Sequence, residues 1–206
     1  MKLRRRLAAL VLAAALAAGL YYAQRWAPRP APSPGIVCGQ QCGIERWEVK
    51  TLSDPDSSAV NFSPQEATVA WLVSLRQPLL SHSTPRLAPI ETQVFQVTAF
   101  LIGVSEEEDR DFHIVIADLD DPSKTMIVEI PSSICSGACA SGYVREFEEA
   151  REAVINNLGE PKRRFQPVVR VVVVTGVGFF DFLHGQTGVA PNGIELHPVL
   201  RLEFLD

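Results

Sequence analysis

Residues Val171 to Leu202 read VVVVTGVGFFDFLHGQTGVAPNGIELHPVLRL, two long apolar segments joined by a loop dense in glycine and polar side chains. The β-branched runs predict strands over 168–182 and 193–204. Gly176 and Gly178 inside the first of them predict a bulge or the sharp bend of a small barrel. Tight turning accounts for the loop glycines and Pro191. Packing alone does not require His184, Gln186, Asn192, Glu195 and His197 so close together, so function is expected here.

Upstream of this hairpin, Val144, Phe147, Arg151, Val154, Ile155 and Leu158 recur at helical spacing. Gly159 is placed to end that helix. Before it lie three strands. Thr92 to Val104 is a β-rich run, Asp111 to Leu119 alternates around Phe112, Ile114 and Ile116, and Thr125 to Ile130 returns after the turn Asp120-Asp121-Pro122-Ser123. Ser63-Pro64-Gln65-Glu66 has the pattern of a capping box with proline at the first helical position, which predicts a further helix from Pro64 to about Leu75. Pro78, Pro85 and Pro89 then enforce an extended connection. Three strands, a helix and two strands is the order of an OB-fold. The expectation is a mainly β, α+β domain over 38–206, a five-stranded OB-like Greek-key barrel with one helix between strands 3 and 4 and the additional N-terminal helix packed outside.

Residues 1–26 begin with Lys2, Arg4, Arg5 and Arg6, followed by an uncharged Ala- and Leu-rich run from Leu7 to Ala23. That is the pattern of a signal peptide or an uncleaved membrane anchor, and it predicts an exported chain, periplasmic, extracellular or held at the membrane by this segment alone. Residues 27–37, with APRPAPSPG at their start, form a Pro-rich linker. Export makes disulfides the expected state of the four cysteines. Crossed pairing, Cys42 with Cys135 and Cys38 with Cys139, is favoured over local pairing because it staples the N-terminal arm to the body. A four-cysteine zinc site is the less favoured alternative, because the spacing is looser than the usual two-residue gap and an oxidising compartment opposes it.

Six of the 19 Lys and Arg fall within the first 29 residues, leaving 13 in the body against all 24 Asp and Glu. An acidic body opposes phosphate tracking, so nucleic acid is not an expected partner. The one tight basic cluster, Lys162-Arg163-Arg164, reads as a solvated loop.

Several segments together carry a resemblance: Glu45-Arg46-Trp47-Glu48-Val49-Lys50-Thr51, Pro89-Ile90-Glu91-Thr92, Asp111-Phe112-His113-Ile114-Val115-Ile116, Met126-Ile127-Val128-Glu129-Ile130-Pro131, and Val174 to Val199. From about Glu45 onward the chain resembles a family of uncharacterised domains of exported bacterial proteins. The likeness implies the compartment and a repeated design, and transfers no catalytic residues. The chain departs from the pattern in the acidic insertion Asp118 to Ser123 and around Cys135 to Cys139.

Alternation places Asp111 and His113 on one strand face, and Glu195 and His197 on one face of the last strand. A turn at Asp120 to Ser123 puts Glu129 opposite Val115 and diagonal to His113. The candidate binding residues are His113, Glu129, Asp181, His184, Gln186, Asn192, Glu195 and His197, with the aromatic stripe Phe179, Phe180, Phe182 and Leu183 beside them. No Gly-x-Ser-x-Gly elbow, His-Glu-x-x-His or phosphate loop is present. The expected function is a non-catalytic binding module without cofactor, gripping a cell-envelope or extracellular ligand of sugar, wall or protein type. The alternative is a hydrolase dependent on a divalent metal, perhaps acting on phosphodiesters, with His184, His197 and His113 as ligands and Glu129 or Asp181 as base.

Overall fold

The apolar periodicity places five strands and one helix correctly. A computed structural model describes residues 38–205, in the order α1 (Trp47–Lys50), a 3-10 turn (Pro55–Ala59), β1 (Asn61–Ala67), α2 (Val69–Leu72), β2 (Gln93–Glu106), β3 (Phe112–Ala117), β4 (Thr125–Ile130), α3 (Val144–Leu158), β5 (Gln166–Phe180) and β6 (Ile194–Leu205). The fold is mixed α+β, with one six-stranded sheet and few helices. The leader and the Pro-rich linker lie outside the described residues.

Strand order is β1-β2-β3-β4-β6-β5, with β2 pairing β5 as well. Each strand from β3 to β6 therefore has two neighbours, and long β2 has three. The β4–β6 pair is parallel, and β2–β3, β3–β4, β5–β6 and β2–β5 are antiparallel. The expected irregularity in β5 is present: its register with β6 shifts between Thr175 and Gly176 and again between Gly176 and Gly178. A Cβ at Gly178 would lie 2.6 Å from the Ile90 carbonyl oxygen, so this bend needs glycine.

The predicted helix over 64–75 is replaced by β1, which pairs parallel with β2 from Asn61 opposite Gln93 to Ala67 opposite Val97, and by the single turn α2. Nonlocal pairing outcompetes the local capping signature here. Long β2 offers an unpaired edge, and Pro64, which has no N–H to give, is tolerated on an edge strand. Helical geometry begins only at Thr68, whose Oγ1 accepts the Trp71 N–H at 3.0 Å. The later helix α3 ends at Gly159, where φ is +81°.

Phe95, Leu101, Phe112, Ile114, Ile116, Met126, Val174 and Leu196 of the strands form one fully buried apolar cluster together with Phe147 and Val154 of α3. The opposite faces of β3 and β4, and of β5 and β6 over residues 175–180 and 194–200, are buried as well, although Val115, Ile127 and Phe179 on them stand outside that cluster. The N-terminal arm and the β5–β6 loop cover these faces. Disulfides Cys38–Cys139 and Cys42–Cys135 tie the arm down in the crossed arrangement. Such bonds are compatible with an oxidising, exported environment. Among the described residues no helix is long and apolar enough to cross a membrane.

Candidate functional site: a buried polar face under an acidic pocket

The arm is anchored by Arg46, whose guanidinium reaches Glu91 through Nη1 at 2.8 Å and Nη2 at 2.6 Å, both side chains fully buried. Arg46 also donates to the carbonyls of Thr84, Pro85 and Phe180, and Glu91 accepts the N–H groups of Leu87 and Phe180. A second buried pair, Arg86 with Asp54, ties the segment after α1 to the same place. These contacts carry Arg46 and Lys50 over the Phe179 ring, 4.7 Å and 5.5 Å from its centroid.

Beneath the arm, strand alternation and register assemble the polar face. His113 lies directly opposite Glu129. The register expected from a turn at Asp120 to Ser123, with Glu129 opposite Val115, is corrected by two residues because the connection spans 118–124. The His113 Nε2–H donates to the Thr187 carbonyl at 3.0 Å, and Nδ1 faces Glu129 Oε1 at 3.0 Å. Both ring nitrogens meet acceptors, an arrangement that favours the protonated ring. Burial opposes that charge, but Glu129 and the Thr187 carbonyl outweigh it and raise the pKa. Glu129 in turn is held well below the usual carboxylate range, against its burial, by His113, His197 and Lys50.

Across the parallel β4–β6 pair, Leu196 aligns with Val128, which sets His197 beside Glu129. His197 Nε2 lies 3.2 Å from Glu129 Oε2 and 3.3 Å from Asp111 Oδ2, yet neither ring nitrogen is aligned for a hydrogen bond. Burial works against its charge, and the two carboxylates still raise the ring to about 9. Burial pushes Asp111 up to about 6. Glu195 is raised well above its ordinary value by burial and by Glu129 and Asp181. Lys50 donates to Asp181 Oδ2 at 2.8 Å, and Asp181, Glu129 and Glu195 hold it above the ordinary lysine range despite its burial.

Above this face opens a pocket of about 530 Å³. Its walls carry six carboxylates, Glu45, Glu107, Glu108, Asp109, Glu129 and Asp181, against Lys50 and the histidines 82, 113 and 184. Of the residues expected at the site, His113, Glu129, Asp181, His184 and Gln186 line this pocket. His184 is a rim residue, its side chain 49% exposed and its Nε2 2.9 Å from Glu45 Oε2. Gln186 Oε1 accepts the His184 N–H. His197 and Glu195 lie buried outside the pocket lining.

Two expectations are corrected. Asn192 is a structural residue: its Nδ2 donates to the carbonyls of Leu72 and Leu75 at 3.0 Å, and its Oδ1 accepts the Ile194 N–H. The histidines 113, 184 and 197 do not form a ligand set, because His113 spends both nitrogens on Thr187 and Glu129. Among the described residues, the one group with ligand atoms converging within 4.8 Å is Asp111, Glu129 and His197. Asp111 escaped the expected site although it shares the His113 face. Lys50, Glu45 and the charged turn 106–110 were also missed. A lysine set among Trp47, Val49 and Leu52 was the signal available.

The aromatic stripe divides between environments: Phe179 and Phe180 are buried, Phe182 stacks on His82 with centroids 5.1 Å apart, and Leu183 is exposed. Gly188, at φ +80°, brings the loop against Val115, where a side chain would collide. Comparison with protein-family models, with curated proteins and with solved structures finds no match to this chain in any of the three.

Proposed function

We propose that the protein is an exported, OB-like binding module without turnover, of the exported-domain type its sequence resembles, whose acidic pocket receives a cationic saccharide or peptide ligand. The barrel reading is supported by the circuit of pairings from β2 through β3, β4, β6 and β5 back to β2, with α3 between β4 and β5. The observation that carries the ligand class is the pocket wall of six carboxylates, whose one lysine is already paired with Asp181. Such a wall attracts amines and repels phosphates and sulfates, and low-dielectric sides sharpen the preference. Export is supported by the basic, then apolar leader and by the two disulfides.

Thermophoresis of the oxidised protein against glucosamine oligomers, oligolysine, N-acetylglucosamine oligomers and a single-stranded oligonucleotide tests the reading. The amine-bearing probes bind, weaken with salt, and lose at least tenfold in affinity in the variant Glu107→Gln/Glu108→Gln/Asp109→Asn. Equal binding of the neutral oligomer, or tightest binding of the oligonucleotide, overturns it.

A further inference from the structure

We infer that Asp111 Oδ2, Glu129 Oε2 and His197 Nε2 form a site for one first-row divalent cation, zinc by preference. The inference goes beyond the cationic-ligand reading and does not rest on it. The three residues come from the start of β3, from β4 and from β6, so rigid strands fix their positions. Asp111 and His197 have fully buried side chains. Asp111 Oδ2 and His197 Nε2 have no hydrogen-bond partner, although each sits within 3.3 Å of the other. Buried polar atoms are almost always paired, and two facing ones that are not aligned with each other call for a shared third partner.

The spacing fits a metal. Ligand atoms bound tetrahedrally at about 2.0–2.1 Å lie roughly 3.3 Å apart. His197 Nε2 stands 3.3 Å from Asp111 Oδ2 and 3.2 Å from Glu129 Oε2. One imidazole with two carboxylates also balances a dication's charge, and the imidazole favours zinc over magnesium or calcium.

The surroundings orient the two carboxylate donors as ligand sites require, whereas His197 Nδ1 has no hydrogen-bond partner among the described residues. Asp111 uses its other oxygen to accept the Ser132 N–H at 3.1 Å. Glu129 uses its other oxygen on His113, itself fixed by the Thr187 carbonyl. The His197 ring packs edge-on against Phe179, with centroids 5.6 Å apart. Glu129 alone of the three lines the acidic pocket, which gives a cation its way in.

The full oxidised chain, stripped with chelator, dialysed against zinc and freed of excess metal, should hold one zinc per chain by elemental analysis. Cobalt(II) in its place should give the intense visible bands of low-coordinate cobalt. Asp111→Asn and His197→Gln should lose the metal, and His113→Asn, which leaves all three ligands in place but removes the support of Glu129 and the contact to the Thr187 carbonyl, should weaken binding about 10- to 100-fold. The wild-type measurements stand even where a buried variant fails to fold. No zinc and no cobalt spectrum in the wild type overturns the inference. So does zinc that survives in folded Asp111→Asn, or that leaves when Glu107, Glu108 and Asp109 are neutralised, since the metal then sits on the rim.

Discussion

Glu91→Ala should be among the most damaging single substitutions in the molecule, although Glu91 is a buried charged residue and no member of the apolar cluster. Glu91 accepts four hydrogen bonds, from Arg46 Nη1 at 2.8 Å, Arg46 Nη2 at 2.6 Å, the Leu87 N–H at 2.6 Å and the Phe180 N–H at 2.9 Å. Truncation leaves the guanidinium with three carbonyl acceptors and no counter-charge in a fully buried setting. Removing one partner of a buried pair costs about 3–5 kcal/mol. For a domain of this size each kcal/mol moves the melting midpoint by about 2–4 °C, so a loss near 4 kcal/mol lowers it by roughly 8–16 °C. Urea denaturation followed by tryptophan fluorescence, without reductant, measures the loss. Arg46→Met/Glu91→Leu, which removes both charges together, should recover part of it, the remainder reflecting the Leu87 and Phe180 N–H groups and the three carbonyls left without partners. A Glu91→Ala protein within about 1 kcal/mol of wild type at unchanged m-value would refute the claim that this pair anchors the arm.

Two further outcomes follow from the same contacts. The cystines are nested, with sequence separations of 101 and 93, so Cys42→Ala/Cys135→Ala opens only small rings while Cys38–Cys139 stays closed. That single loss should cost about 2.5 kcal/mol in denaturation, and removing the second bridge should cost about 4–5 kcal/mol more; equal increments would contradict the nested-loop account. Asp118 accepts the N–H groups of Ala70, Asp120 and Asp121, which lower its pKa in spite of the opposing effect of burial. Its contribution is present above the unfolded value of about 4 and is lost as pH falls through the lower folded value. The stability gap between wild type and Asp118→Asn should therefore be full at neutral pH and shrink in acid, and a gap that stays constant would show that the carboxylate's charge is irrelevant.

Strands β2 to β6 and helix α3 were legible because their signals are local: apolar period, turn residues, and Gly159 at the helix end. β1 was not, because the segment carries a helix-start signature and becomes a strand only where the β2 edge accepts it. At the site, alternation alone put Asp111 with His113 and Glu195 with His197. The hairpin register depended on a seven-residue connection and was misread by two positions. His184 and His197 are neighbours in sequence, yet one stands on the rim and the other inside a strand, because the loop between them turns out and back. Lys50, Arg46 and Glu45 join the site from more than 60 residues before β3, and nothing local announces that an arm will lie over the sheet.

The clasp between residues 38–42 and 135–139 makes pocket assembly conditional on the cell's thiol chemistry. Glu45, Arg46 and Lys50 follow directly on two cysteines, so while the sulfurs are apart this stretch has only its noncovalent contacts, the ion pairs of Arg46 and Lys50 and the hydrogen bonds of Arg46 and Trp47, to hold it in place.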